Sequence, residues 1–212
     1  MADNYLEKKM EAFHSLPSSA AQAKKNKTTL NKLLLKNRSH RGYDPKVVVR
    51  EDHLRDIVSV VTKIPQACNQ QCLRYRLVAP AEAHKILPLL KFGAALPELN
   101  LPFPGTEPQA FIICCAPNEN KLTYMDLGIA AQSMLLRATE MGLNGICIGA
   151  FQKEKIIQAF DLPLTPLLVL AIGKGIEDIR LTEIRENEDH KYYRENGVHY
   201  VPKVCLNDLL LG

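Results

Sequence analysis

Two short segments concentrate groups able to bind and orient a charged, planar molecule. Arg38-Ser39-His40-Arg41 places two guanidiniums and a hydroxyl within four residues, just past the apolar run Leu33-Leu34-Leu35. Guanidinium forks match phosphate oxygens, and a hydroxyl or main-chain N–H completes such a cradle. Pro65-Gln66-Ala67-Cys68-Asn69-Gln70-Gln71 is a run of amides and small residues behind a proline. A loop of that kind can approach a flat polar heterocycle and read its edge by hydrogen bonds. Together the two point to a phosphate-bearing planar cofactor. Plainer readings stand beside this one. The arginines could instead complement a helix C-terminus, and the proline loop could simply end a helix.

The elements that must position these segments are legible in outline. Residues 1–28 read as a helical arm, with 29–212 as the domain proper. A helix over 29–36 leads into the Arg38 cluster. Residues 45–50 are extended, and 51–63 form an amphipathic helix with Leu54, Ile57, Val58 and Val61 at helical spacing. Pro65 stops it. A strand over 73–78 and a helix from Pro80 to about Phe92 follow. Residues 96–108 carry four prolines and a glycine, a loop long enough to rim a site.

Residues 110–116 read as a buried strand in which the adjacent Cys114 and Cys115 face opposite sides of a sheet. The helix over 122–141 has apolar residues around much of its circumference and is expected to be central, packed on several sides. Gly142 stops it. A second strand lies within 142–151, where Gly149 suggests close approach of the backbone to something else. A helix over 153–160 and a strand over 167–172 precede Gly173-Lys174-Gly175. Residues 192–201 read as a hairpin turning at Asn196-Gly197, and a short helix ends the chain. The class is α+β.

Bulk properties narrow the function. A chain of 212 residues can bury roughly 70% of its unfolded surface as one domain. Its net charge of +4 is mild and its Lys and Arg are dispersed, which argues against a nucleic-acid surface. The charged N-terminus lacks the apolar stretch of a signal peptide, and the longest apolar run, 164–172, is too short to span a bilayer. We expect a cytoplasmic protein. The six cysteines show neither C-x-x-C nor zinc-finger spacing, so no metal site is expected. His40 reads as a surface residue, His199 as a hairpin side chain, Tyr192-Tyr193 as hairpin packing, and Asp126 and Gln132 as helix-packing or dimer residues.

In this order the segments resemble the FMN-dependent nitroreductase family. Asn37-Arg38-Ser39-His40-Arg41 is similar to its Arg-Arg-Ser-x-Arg start in all but the first position. Pro65, Asn69 and Gln71 fit its Pro-Ser-x-x-Asn-x-Gln loop, with Gln66 in place of serine. Asp126-Leu127-Gly128-Ile129-Ala130-Ala131-Gln132 follows its central-helix pattern, and Gly142-Leu143-Asn144 and Gly149-Ala150-Phe151 its later glycine segments. The tail from Gly197 to Lys203 looks like one branch of the family. The resemblance covers residues 30–212.

The resemblance implies a central, mostly antiparallel sheet flanked by helices in an intertwined homodimer, with FMN at the interface. It implies ping-pong hydride transfer from NAD(P)H through flavin to a small electron-poor acceptor, nitroaromatic or quinone-like. No catalytic side chain is implied, because the flavin does the redox work. Arg38 and Ser39 would hold the phosphate, and Arg41 the ribityl chain or pyrimidine edge. Pro65, Gln66, Ala67 and Asn69 would line the flavin, Gly149 and Ala150 would face N5, and Lys203 would close over the phosphate. Two family arginines are replaced, by Asn37 and Val204. Each lost charge-assisted bond weakens phosphate binding by roughly 1.5–3 kcal/mol. A partly dissociable FMN is therefore expected. The alternative is a degenerate member that binds flavin or a nucleotide-like ligand without turnover.

Overall fold

The computed structural model describes residues 29–93, 99 and 101–211; the N-terminal arm read from the sequence lies outside them. Its centre is an antiparallel sheet of Arg74–Val78 (β1), Ala110–Ala116 (β2), Asn144–Ile148 (β3) and Thr165–Gly173 (β4), in the order β1-β2-β4-β3. Strand β2 is apolar and buried at every position because helices cover both faces of the sheet. On one side lie Glu51–Ser59 (α2) and Lys121–Glu140 (α4), packing Leu54, Ile57, Leu127 and Met134 against Ile112 and Cys114. On the other lie Ala83–Ile86 (α3) and Lys153–Phe160 (α5), packing Ile86 and Ile156 against Phe111, Ile113 and Cys115. The two cysteines do face opposite ways. Burial pushes both thiols up, Cys115 to about 11, which leaves them unreactive packing groups.

Leu30–Lys36 (α1) precedes the arginine cluster and buries none of its residues. Helix α4 begins where the Asn120 side chain accepts from Thr123 N–H at 3.0 Å. It ends at Gly142, φ +79°, with Gly142 N–H on Thr139 O and Leu143 N–H on Ala138 O. That pair of bonds closes the helix in a Schellman turn.

Three expectations need correction. The helix expected from Pro80 to Phe92 is α3 alone, flanked by 3₁₀ turns Pro80–Glu82 and Leu87–Leu89; Pro88 removes a donor the helix would need. Helix α4 is covered on one side in the single chain. Thr123, Asp126, Leu127, Ala130 and Met134 are buried, whereas Leu122, Met125 and Ile129 are 44%, 54% and 41% exposed. Its apolar circumference therefore reflects an outer face with no partner among the described residues. Finally, Asp178–Ile184 (β5) was not foreseen. It lies parallel to Val198–Val204 (β7), which pairs antiparallel with Tyr193–Glu195 (β6), giving a second sheet in the order β5-β7-β6. The β6–β7 turn has positive φ at Asn196 and Gly197, as a type I′ turn requires. Leu206–Leu209 (α6) follows.

Candidate functional site

After α1 the chain is laid along the ends of β3 and β4. His40 N–H donates to Gly145 O, Asp44 N–H to Lys174 O, and Ile176 N–H to Gly42 O. The Gly-Lys-Gly that closes β4 permits this close approach. A Cβ on Gly173 would lie 2.6 Å from the Tyr43 ring, and one on Gly175 would run into the His40 imidazole. His40 is thus buried, not a surface residue, and Tyr43 OH donates to its carbonyl at 2.8 Å.

This segment forms one wall of a cavity of about 330 Å³. Arg38, Ser39 and Arg41 enter from it, with Asn37 beside them. His199, Val201 and Lys203, alternate residues of β7, supply the facing wall, completed by Ile179 and Tyr192. None of these lining residues carries a carboxylate.

Arg41 is 7% exposed. Its Nη1 donates to Ser39 O at 3.2 Å and meets His199 Nε2 at 3.4 Å, and its guanidinium lies 5.0 Å from the centre of the Tyr192 ring. A guanidinium is donor-only, so Nε2 must accept and the His199 proton belongs on Nδ1. Burial, then the charges of Arg41 and Arg194, hold this imidazole down at about 4, which keeps it neutral. Arg38 Nη2 donates to Leu34 O at 2.6 Å, closing the end of α1. The plainer helix-end reading of Arg38 therefore describes this bond, while its Nε and that of Arg41 are buried without a partner among the described residues. Such atoms, in a cavity walled by cations and a hydroxyl, fit an anionic ligand of phosphate type.

A second cavity of about 410 Å³ shares Arg38 and Ile179 with the first. Its walls mix Lys36 and Lys174 with Glu177 and Asp178, so it offers no comparable preference for anions.

The Pro65 loop is elsewhere in the chain. Residues Ala67–Asn69 form a 3₁₀ turn held against α4, where Ala67 N–H donates to Asp126 Oδ1 at 2.8 Å. Cys68, Asn69 and Gln71 all have φ near +50°, and Gln66 Oε1 is buried without a partner. Asn37 Nδ2 reaches Gln132 Oε1 at 3.4 Å on the same helix, six residues or about 9 Å further along. Asp126 and Gln132 are thus packing residues with a defined task. Gly149 and Ala150 are exposed beyond the end of β3, and Ala150 O accepts from Lys91 N–H at 2.9 Å. A Cβ on Gly149 would meet nothing within 4 Å, so among the described residues nothing approaches it as expected.

The structure therefore brings Arg38, Ser39, Arg41 and Lys203 into one cavity. It does not bring Pro65, Gln66, Ala67 and Asn69, or Gly149 and Ala150, to that cavity within a single chain. Sequence reasoning missed Tyr192 and His199 as cavity residues. Period-two alternation with Lys203 in the hairpin strand was the available signal for His199.

Solved structures with this α+β fold are nitroreductase-family proteins. A protein of Exiguobacterium sibiricum, assigned as a nitroreductase and solved in complex with FMN, superposes with a TM-score of 0.59 at 18% identity, covering 71% of this chain and 90% of that one. Residues 94–174 match the nitroreductase family model. A Methanocaldococcus jannaschii protein assigned as a nitroreductase is 33% identical over 57 residues, 27% of this chain and 29% of that protein. YdgI of Bacillus subtilis, assigned as an NAD(P)H nitroreductase, is 22% identical, covering 66% of this chain and 86% of that one. The chain thus has the fold of nitroreductase-family proteins and is similar to that family in sequence over residues 94–174.

Proposed function

We propose that this protein is a cytoplasmic, homodimeric FMN-dependent oxidoreductase that takes reducing equivalents from NAD(P)H and passes them to a small electron-poor acceptor, nitroaromatic or quinone-like. The convergence of Arg38, Ser39, Arg41 and Lys203 on one cavity without a lining carboxylate carries this reading. Bound FMN would supply the two-electron chemistry. The chain's residues bind and orient. Arg38, Ser39 and Lys203 hold the phosphate, and Arg41, fixed by His199 and Tyr192, presents positive charge to the ribityl chain or pyrimidine edge. A fixed cation there favours the reduced, more anionic cofactor.

The exposed Leu122, Met125 and Ile129 of α4, with Leu30 and Leu35 of α1, support a second copy docking on this face. Its Pro65, Gln66, Ala67 and Asn69 would line the flavin, and exposed Gly149 and Ala150 would meet it by their main chain. Met125→Glu then gives a monomer by sedimentation with its flavin lost; a monomeric wild type refutes the dimer. We assign the loop of residues 96–108 to the substrate rim; its Thr106 O accepts from Tyr43 N–H at 2.9 Å, next to the Arg38 segment.

The deciding experiment is the visible spectrum of the purified protein with FMN, before and after NADH or NADPH without oxygen. A bound-flavin spectrum that bleaches supports the enzyme. Flavin that binds and never bleaches favours a second reading, a ligand-binding member without turnover, for which Asn37 and Val204 in place of arginines speak. No flavin binding refutes the enzyme reading and leaves the second reading only with a nucleotide-like ligand other than flavin.

A further inference from the structure

We propose that Glu177 is the positioning residue of the anion cavity, acting through Arg41 and not by touching ligand. The inference rests on the anion-binding reading of that cavity. The Glu177 side chain is 6% exposed and is absent from the wall of the Arg41 cavity. One carboxylate oxygen accepts from the main-chain N–H of both Arg41 and Gly42, the latter at 3.1 Å. The other pairs with the Arg194 guanidinium of β6. Arg194 in turn lies 5.3 Å from the centre of the Phe103 ring. A single buried carboxylate thus joins three separate pieces of chain: the Arg38 segment, the β6–β7 hairpin and the loop bearing Phe103.

Arg41 sits at the junction. Its main chain is held by Glu177, and its guanidinium is held by His199 and Tyr192, which belong to the hairpin that Glu177 ties down through Arg194. His40 Nδ1 lies 3.8 Å from Glu177 Oε2, and the buried Tyr43 and His199 also feel its charge. The carboxylate therefore holds the Arg41 main chain without lining the Arg41 cavity.

Two effects of this carboxylate oppose each other. Its negative charge close to a cationic cavity disfavours anions, so its removal on Coulombic grounds tightens binding. Its hydrogen bonds fix Arg41, so its removal on positioning grounds loosens binding. The sign of the change separates the two. Glu177→Gln keeps the size and one oxygen acceptor but turns an amide donor toward Arg194, and is the variant of choice.

The test is a double-mutant cycle with Arg41→Ala, read as the FMN dissociation constant by flavin fluorescence quenching. Positioning through Arg41 predicts that Glu177→Gln weakens FMN by about tenfold in the wild-type background, and by less than about twofold once Arg41 is alanine. An equal loss in both backgrounds, or tighter binding, overturns the proposal. If the wild type binds no FMN, the reading of the site fails separately. The Arg41 Nε–H resonance of the ligand-free protein then decides: a shift on Glu177→Gln upholds the framework, and an unchanged signal overturns it. Should Glu177→Gln not fold, Arg194→Gln removes the other half of the pair and is read through the same cycle.

Discussion

The main-chain N–H of Ala67 donates to the buried Asp126 carboxylate at 2.8 Å, and this bond ties a loop with unusual backbone to the longest helix of the fold. Non-glycine residues in the left-handed region cost on the order of 1–3 kcal/mol each and persist where the surroundings hold them. Cys68, Asn69 and Gln71 all lie there.

Asp126→Ala orphans the Ala67 donor and lets the loop relax. We expect about 1–3 kcal/mol lost from stability, read as the urea midpoint, together with faster flavin dissociation. Asp126→Asn, which retains an acceptor oxygen, should lose clearly less. Equal losses for both would mean that Asp126 acts by charge and not as an acceptor.

Arg41→Ala should lower flavin affinity by roughly ten- to a hundredfold, the worth of one charge-assisted bond, with little change in the thermal midpoint. Arg41→Lys should behave more like alanine than like arginine, because an ammonium cannot reproduce a fork held between Ser39 O and the His199 ring. Full retention of flavin in the lysine variant would contradict that geometry.

Acid should weaken the fold through His199. Its folded value of about 4 lies below the ordinary 6.5. Between those values the unfolded chain takes up a proton that the folded form refuses. Stability is therefore highest above about pH 6.5, falls as the pH drops toward about 4, and levels off below. His40, also lowered chiefly by burial, adds in the same direction. Urea midpoints followed from pH 7 to pH 4 should fall less steeply for His199→Gln than for wild type. Identical slopes would remove His199 from the account.

Two glycines separate packing from binding. Gly175→Ala drives a methyl into the His40 ring and should cost about 1–3 kcal/mol. Gly149→Ala meets open space among the described residues, so its thermal midpoint should hold while flavin affinity falls if that main chain lies against the ring. Loss of stability at Gly149 would place its role in folding.

Much of the fold was legible because it rests on local signals. The uniformly apolar β2, the Gly142 stop and the Asn196-Gly197 turn each declare themselves within a few residues. Strand β5 does not. Its alternation of charged and apolar residues is loose, and its partner β7 begins twenty residues later, so the pairing is set by tertiary contact. The arginine cluster and Lys203 were legible as types. Their meeting was not, because it depends on β7 folding back beside the Arg38 segment. His40 was misjudged for the same reason: a glycine more than a hundred residues away makes room for its ring.

Strand β7 carries a wider consequence. In register, Ile179 faces His199, Leu181 faces Val201, and Thr182 faces Pro202. Since successive side chains of a strand point to opposite faces, a slip of one residue would turn Tyr200 and Pro202 toward the cavity and swing His199 and Lys203 away. Stacking of Tyr193 on Tyr200, 5.1 Å apart, and a proline placed beyond the short β6 both resist such a slip. For natural variation and for engineering alike, single-residue insertions should be tolerated in the connection before β6 and should abolish ligand capture within β7, even where every binding side chain is retained.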